Sequence, residues 1–211
     1  WYVKFWRDQG APAWGIEPSA TARLLAPSTR WIAPDIASLV KDANCVVQNK
    51  NDTDSARMAL VLEHVYDPIA TLLMVKKAFI GKQGHIQILV PNEFSSLQRL
   101  VEKHYGSAWY VQSPHVNYFT KQSIKALVEA CGFRVTYQGG TFPIELCYLL
   151  GWRYIGNDEM GQRCHVWRLR FEQQLGSKAW QLYHMLYKIL GWGRETLIVG
   201  ENIETTNPVS G

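Results

Sequence analysis

The chain has 211 residues, 47% of them hydrophobic, 12% aromatic and 19% charged, enough for one domain with a full core and incompatible with a disordered or fibrous chain. No apolar run approaches the roughly 20 residues that cross a bilayer, so no membrane segment is predicted. Lys and Arg total 22 against 18 Asp and Glu, and they are dispersed rather than gathered into the stripe of a nucleic-acid surface, so no nucleic-acid partner is expected.

In chain order, Tyr2 to Gln9 reads as a helix stopped by Gly10, and Ala13-Trp14-Gly15-Ile16 as a short strand ending at Glu17. Pro18-Ser19 opens a helix through Leu25, and Trp31-Ile32-Ala33 is a second short strand closed by Pro34-Asp35. Residues 38 to 56 are polar and carry no clear pattern. Arg57 to Leu62 reads as a buried strand, followed by a helix from Asp67-Pro68 with Ile69, Leu72, Leu73, Val75 and Phe79 at helical spacing. His85 to Val90 is the strongest strand, rich in β-branched residues and stopped by Pro91-Asn92. A Ser-, Trp- and Tyr-bearing connection leads to Thr120, which caps a helix that Gly132 ends, and Phe133 to Gln138 alternates as a strand.

Strand and helix alternating at this spacing predict βαβ units. The expected fold is α/β: a Rossmann-like three-layer α/β/α sandwich with a mostly parallel sheet. Residues 141 to 192 break the rhythm, with two helical stretches and four tryptophans before a last strand at Arg194 to Gly200. Fifty-two residues are too many for a turn, so they are read as a helical insertion. Its aromatic faces are read first as packing, with a substrate lid or a homodimer surface as the alternative. The expected organisation is a core over 1–140, an insertion over 141–192 and the last core strand with a tail over 193–211. Cys45, Cys131, Cys147 and Cys164 form no CxxC pair. They read as thiols of a reducing compartment, with the cytoplasm as default.

Open α/β sheets bind ligands at the carboxyl ends of their strands, which singles out the residues just after each strand. Glu17 could accept from a ribose diol, or simply favour the N-terminus of the following helix. Asp35 could accept from an adenine amino group with Ile36 packed on the ring, although Asx residues are common in turns. His64, in LEHVYDP, lies where a reacting group would be, and His115, in SPHVNYFT, shares the ambiguity of base against loop residue. Glu63 and His64 are too few to form a metal site unaided, and none is assigned. No Ser/His/Asp set and no Walker loop is present.

Taken together, VLEHVYDP, GKQGHIQILVPN and HVNYFTKQSIKALVEACGFRV resemble the second half of a class I S-adenosylmethionine-dependent methyltransferase. More narrowly, they are similar to the branch with LEHV-x-DP, VPN, H-x-x-x-FT and GF segments, and WGIEPS resembles the acidic loop after that fold's second strand. FPIELCYLLGWRYIGNDEMGQRCHVWRLRFEQQL followed by GWGRETLIV is similar to the C-terminal extension of methyltransferases of surface-polysaccharide and sugar modification.

The resemblance implies an enzyme that moves a methyl group from S-adenosylmethionine to an oxygen or nitrogen of a small-molecule or sugar-like acceptor. Glu17 would hold the ribose hydroxyls, Asp35 and Ile36 the adenine, and Ala59 and Leu60 the methionine part, while His64 and His115 face the acceptor. In related O-methyltransferases an acidic-His pair in this loop serves as base or metal ligand, which leaves a divalent-metal role open for Glu63 and His64. The family's first strand and its acidic-x-G-x-G-x-G loop would precede Trp1, so the expectation is a core incomplete at its N-terminus. The lead into the third strand also departs from the family's F-D-x-I. The alternative is a catalytically inactive methyltransferase-like domain that acts as an interaction module.

Overall fold

A computed structural model describes residues 2–26, 31–41, 54–111 and 115–203; Cys45 and most of the unpatterned 38–56 stretch fall outside them. The N-terminal elements are helix α1 (Tyr2–Asp8), strand β1 (Gly15–Ile16), helix α2 (Ala20–Leu25), strand β2 (Ile32–Ala33) and helix α3 (Ile36–Lys41). Strand β3 (Ala56–Ala59), helix α4 (Pro68–Phe79), strand β4 (His85–Pro91), helices α5 (Ser96–Tyr105) and α6 (Lys121–Ala130) and strand β5 (Phe133–Gly140) follow. Helices α7 (Glu145–Leu149), α8 (Asp158–Leu175) and α9 (Ser177–Leu190) then precede strand β6 (Glu195–Asn202).

β1 and β2 pair in parallel as a sheet of their own, and the main sheet runs β3-β4-β6-β5. β3 is parallel to β4, whereas β6 is antiparallel to both β4 and β5, so β3, β4 and β5 share a direction and β6 alone opposes it. This is the Rossmann-like arrangement predicted, with the last strand reversed by the helices that lead into it.

The main core follows from period-two alternation in the strands and helical spacing between them. Ile86, Ile88 and Val90 of β4 are fully buried, beside Ile198 of β6, Leu72 and Val75 of α4, and Ile124 and Val128 of α6. Each such side chain contributes about 1.5–3 kcal/mol of burial. Of the helical positions read for α4, Leu72 and Val75 are buried, while Ile69 and Leu73 face outward. Lys76 reaches from α4 to the end of α6, where its Nζ donates to the carbonyls of Cys131 (3.1 Å) and Gly132 (2.7 Å).

Three boundaries differ from the sequence reading. The strand at 57–62 stops at Ala59 because Leu60 adopts φ 55°, a left-handed conformation that ends pairing. The connection before Thr120 contains α5, opened by a capping box in which Ser95 accepts from Gln98 N and Gln98 returns the bond. The long helical stretch is two helices, split at Gly176. Thr120 caps α6 as predicted, accepting from Ser123 N.

A second core lies among the helices between β5 and β6, where Phe142, Cys147, Cys164, Ala179 and Tyr183 are buried together with Trp152 and Phe171 against them. α9 passes so close to β5 that a Cβ on Gly140 would lie 2.6 Å from the Tyr187 ring. A Cβ on Gly193 would lie 2.9 Å from Gly140 Cα. Two glycines therefore bring residues 191–194 against the carboxyl end of β5, which fixes where Arg194 emerges.

Candidate active site

The carboxyl ends of β3 and β4 carry the densest chemistry. Leu60 follows β3 at φ 55° and Phe94 lies beyond β4 at φ 60°. Among the described residues these are the non-glycine positions with positive φ, and such strain is tolerated where surrounding structure holds it and often accompanies function.

After Leu60 the chain makes a single 3-10 turn over Leu62–His64. Residues 115–119 lie across it. Val116 N and Asn117 N donate to the Glu63 carbonyl (2.8 and 3.1 Å), and Asn117 Nδ2 donates to the carbonyls of Leu62 (3.0 Å) and Val65 (2.5 Å). This splint brings together two histidines 51 residues apart in sequence. The rings of His64 and His115 are 4.9 Å apart and meet edge to face. Glu63 lies beneath them, 1% exposed, with Oε1 3.8 Å from His64 Nε2 and Oε2 buried without a hydrogen bond.

Burial pushes the Glu63 carboxyl up. Burial, with His64 and Arg194 nearby, pushes His115 down, so His115 is held toward its neutral, proton-accepting form. Glu63, His64 and His115 can each present one ligand atom within 4.8 Å of the others. Glu63 and His64, too few by themselves, thus gain a third member from the 115–119 loop, and the set could hold a divalent cation.

The donor-side candidates divide between the two sheets. Parallel pairing of β1 and β2, continued by Glu17 N donating to the Ala33 carbonyl (3.0 Å), puts Glu17 and Asp35 at the same carboxyl end. Glu17 Oε1 accepts from Ser19 N (2.8 Å), and among the described residues no donor is placed on Oε2, which fits a carboxylate with capacity left for a hydroxyl. Asp35 Oδ1 accepts from Ser38 N at 2.6 Å, capping α3, and that backbone bond lowers its carboxyl. Ile36 is partly buried against the main core. Ala59 is the last residue of β3, opposite Leu89, and Leu60 N donates to the Leu89 carbonyl (2.8 Å), which leaves the Leu60 side chain exposed above the strand end.

Three further residues at this end were not singled out from the sequence. Glu93, two residues past β4, and Glu145, at the start of α7, are buried, and Arg194 precedes β6. Arg194 Nη1 stands 3.5 Å from Glu145 Oε1, and Glu93 Oε2 accepts from Gln98 Nε2 (2.9 Å). Asn92 ties the group together: its Nδ2 donates to the carbonyls of Gly191 (2.9 Å) and Gly193 (3.0 Å), and its N–H to that of Arg194 (3.0 Å). Burial raises both carboxyls. The available signal was positional: Asn92-Glu93 directly follows the best strand of the chain.

Residues 1–138 match a family profile described as a methyltransferase domain, which spans more than half of the chain. The chain belongs to that methyltransferase family, and its cofactor is S-adenosylmethionine. No curated protein sequence matches it. Among solved structures it is similar to an S-adenosylmethionine-dependent methyltransferase from Archaeoglobus fulgidus, at 14% identity and TM-score 0.55, over 95% of this chain and 80% of that one. A second, from Mesorhizobium loti, matches at 14% identity and TM-score 0.51, over 96% and 86%. The [4+2]-cyclase SpnF matches at 10% identity and TM-score 0.53, over 96% and 70%. At these identities the likeness carries the fold alone, and the site must carry the chemistry.

Proposed function

We propose that the chain transfers the methyl group of S-adenosylmethionine to an oxygen or nitrogen of a small-molecule or sugar-like acceptor bound at the carboxyl ends of β3 and β4. The observation that carries this reading is the His64–His115 pair, 4.9 Å apart over the buried Glu63. The cofactor brings an already activated methyl group, so the protein's part is alignment and removal of one proton. His115, held toward its neutral form, suits the base, and His64, half open to solvent, suits the mouth of the site. Glu17 receives the ribose hydroxyls, Asp35 and Ile36 the adenine, and Ala59 and Leu60 the methionine part.

A second reading rests on the three ligand atoms of Glu63, His64 and His115 within 4.8 Å: a divalent cation held there would orient the acceptor oxygen and lower its proton affinity. The two readings separate on addition of chelator. With a base alone, transfer survives EDTA; with a cation, it is lost and returns with magnesium, manganese or zinc.

No described helix is long and apolar enough to cross a membrane, and we place the reaction in the cytoplasm, on small molecules rather than nucleic acid. We read the segment 141–192 as a helical insertion on the core of residues 1–140, followed by the last core strand and a tail over 193–211. Its helix α9 exposes Met185 and Ile189 one turn apart, which supports a homodimer through that face. Sedimentation at micromolar concentration giving a monomer would remove the dimer.

The site assignment is tested by calorimetry with S-adenosylmethionine and by methyl-transfer assays over a panel of hydroxylated and amine acceptors. His64→Ala and His115→Ala are expected to bind the donor as the parent does while losing transfer by about 100-fold or more. Unchanged transfer in both variants would refute their placement.

A further inference from the structure

Two bulky apolar residues at the carboxyl end of the main sheet are held at positive φ, Leu60 after β3 and Phe94 after β4. That conformation costs free energy at a non-glycine residue, and burial does not repay it here: Leu60 is 47% and Phe94 37% exposed. Leu60 has a part in the reading above, at the methionine end of the donor. Phe94 has none.

Phe94 belongs to a row of rings that starts at the histidine pair. His115 lies 4.9 Å from His64, Tyr118 lies 6.1 Å from His115, and Phe94 lies 5.9 Å from Tyr118. Tyr110 fixes the far end, 5.7 Å beyond Phe94; it is buried, and its hydroxyl donates to Glu102 Oε2 (2.6 Å). Backbone bonds hold the row in register. Val116 N and Asn117 N donate to the Glu63 carbonyl, and Glu93 N donates to the Phe119 carbonyl (2.8 Å), so the segment bearing His115 and Tyr118 is pinned to the turns of both His64 and Phe94. Val61 and Val116, in the same loops as the two histidines, are exposed as well.

Arg99 narrows what this surface can take. Its Nε donates to the Phe94 carbonyl (3.3 Å), and its guanidinium stands 6.0 Å from the centre of the Phe94 ring. The chain thus supplies a cation of its own at the outer reach of a cation–π contact, and the exposed part of the ring suits an uncharged group. Aromatic rings meet one another edge to face or offset, with an attraction beyond the area they bury. A sugar presents hydroxyls all round, and the side chains of Phe94, Val61 and Val116 offer them no hydrogen bonds.

We propose that Phe94 and Tyr118 position the methyl acceptor beside His115, and that the acceptor carries its hydroxyl or amine on or next to an aromatic ring. The proposal rests on the methyltransferase reading and narrows its acceptor class. The acceptor's ring lies against Phe94 and Tyr118, and its polar group reaches the His115–His64 pair.

Saturation-transfer NMR titrations on the full chain test this with alcohols matched in shape: phenol against cyclohexanol, and benzyl alcohol against cyclohexylmethanol, with methyl glucoside as the sugar. In at least one pair the aromatic member should bind about fivefold or more tightly. Phe94→Leu keeps an apolar side chain and removes the ring, so the preference should shrink to within about twofold, while Phe94→Tyr should retain it. Trp180→Leu removes an exposed ring on α9 and should leave the preference intact, which separates a site from the general attraction of rings for exposed aromatic residues. Equal binding within both pairs, no binding of any probe, tighter binding of methyl glucoside, or a preference that survives Phe94→Leu overturns the proposal. The matched pairs on the parent protein need no variant and so do not depend on the fold of one. Donor calorimetry on the same samples separates the two claims. Donor binding without ring preference defeats this proposal alone, and ring preference without donor binding defeats the methyltransferase reading alone.

Discussion

The two sheets of this molecule are built to different standards. The four-stranded sheet carries fully buried rows from β4, β6, α4 and α6. In the two-stranded sheet each strand has two residues, and α1 and α2 bury none of theirs. Contacts between these parts include the Arg57 guanidinium over the Tyr2 ring at 4.8 Å and Ile36 against the main core. The proposed acceptor-side residues His64 and His115 therefore stand beside the well-packed sheet, whereas Glu17 and Asp35 follow strands of two residues each. The Glu17 and Asp35 carboxylates are held by local hydrogen bonds of their own turns, to Ser19 N and Ser38 N.

Core truncation should break the contrast most strongly. Ile88→Ala or Ile198→Ala should cost about 2–5 kcal/mol in chemical denaturation, because each leaves a cavity in the main core. Leu24→Ala on α2, where the side chain is 81% exposed, should fall within about 0.5 kcal/mol. Equal losses would show that both parts share one core.

Next in size is the splint under the histidines. Asn117→Ala removes the bonds to the Leu62 and Val65 carbonyls and should cost about 1–3 kcal/mol. The imidazole resonances of His64 and His115 should shift together in NMR, and a shift confined to His115 would mean that the two loops are not coupled here.

Helix caps sharpen the comparison further. Thr120→Ala at the start of the well-packed α6 should cost about 1 kcal/mol. Ser19→Ala, at the start of the unburied α2, should cost less in global unfolding, because that helix opens locally before the domain does.

The mildest probe is pH. Burial raises the Glu93 and Glu145 carboxyls above their usual value near 4.5, so the folded state keeps protons that the unfolded chain has released. Their stabilising contribution is complete below that value and is lost as pH rises through the folded values. Hydrogen bonds from Ser38 N and from Arg134 lower the Asp35 and Glu201 carboxyls, so they act in the opposite sense, losing their contribution as pH falls. Glu93→Gln should therefore flatten the fall in melting temperature as pH rises above the usual carboxylate value near 4.5, and an unchanged profile would place the effect elsewhere.

Local chemistry explains what could be read in advance. The alternation of HIQILV, the Thr120 cap and the stop at Gly132 are short-range signals, and the corresponding elements stand where they were expected. The end of β3 was overrun because nothing in RMALVL marks Leu60 as left-handed; the turn is set by contacts to Leu89 and by the residues that fold under it. α5 carries the capping signature Ser95-x-x-Gln98, but the Ser-, Trp- and Tyr-bearing connection around it reads as loop. His64 and His115 were each ambiguous in sequence, and only the Asn117 splint makes them a pair. Glu93, Glu145 and Arg194 come from three separate elements, so their meeting is a property of topology that no local pattern carries.

The central claim is that the two sheets together present one donor site opposite one acceptor site. Calorimetric titration of S-adenosylmethionine into the protein tests it most directly, in parent and Glu17→Gln forms. The account predicts binding that Glu17→Gln weakens by about tenfold, the loss of about 1.4 kcal/mol of charge-assisted hydrogen bonding to the ribose. Absence of donor binding in the parent, or an affinity that Glu17→Gln leaves unchanged, would contradict it.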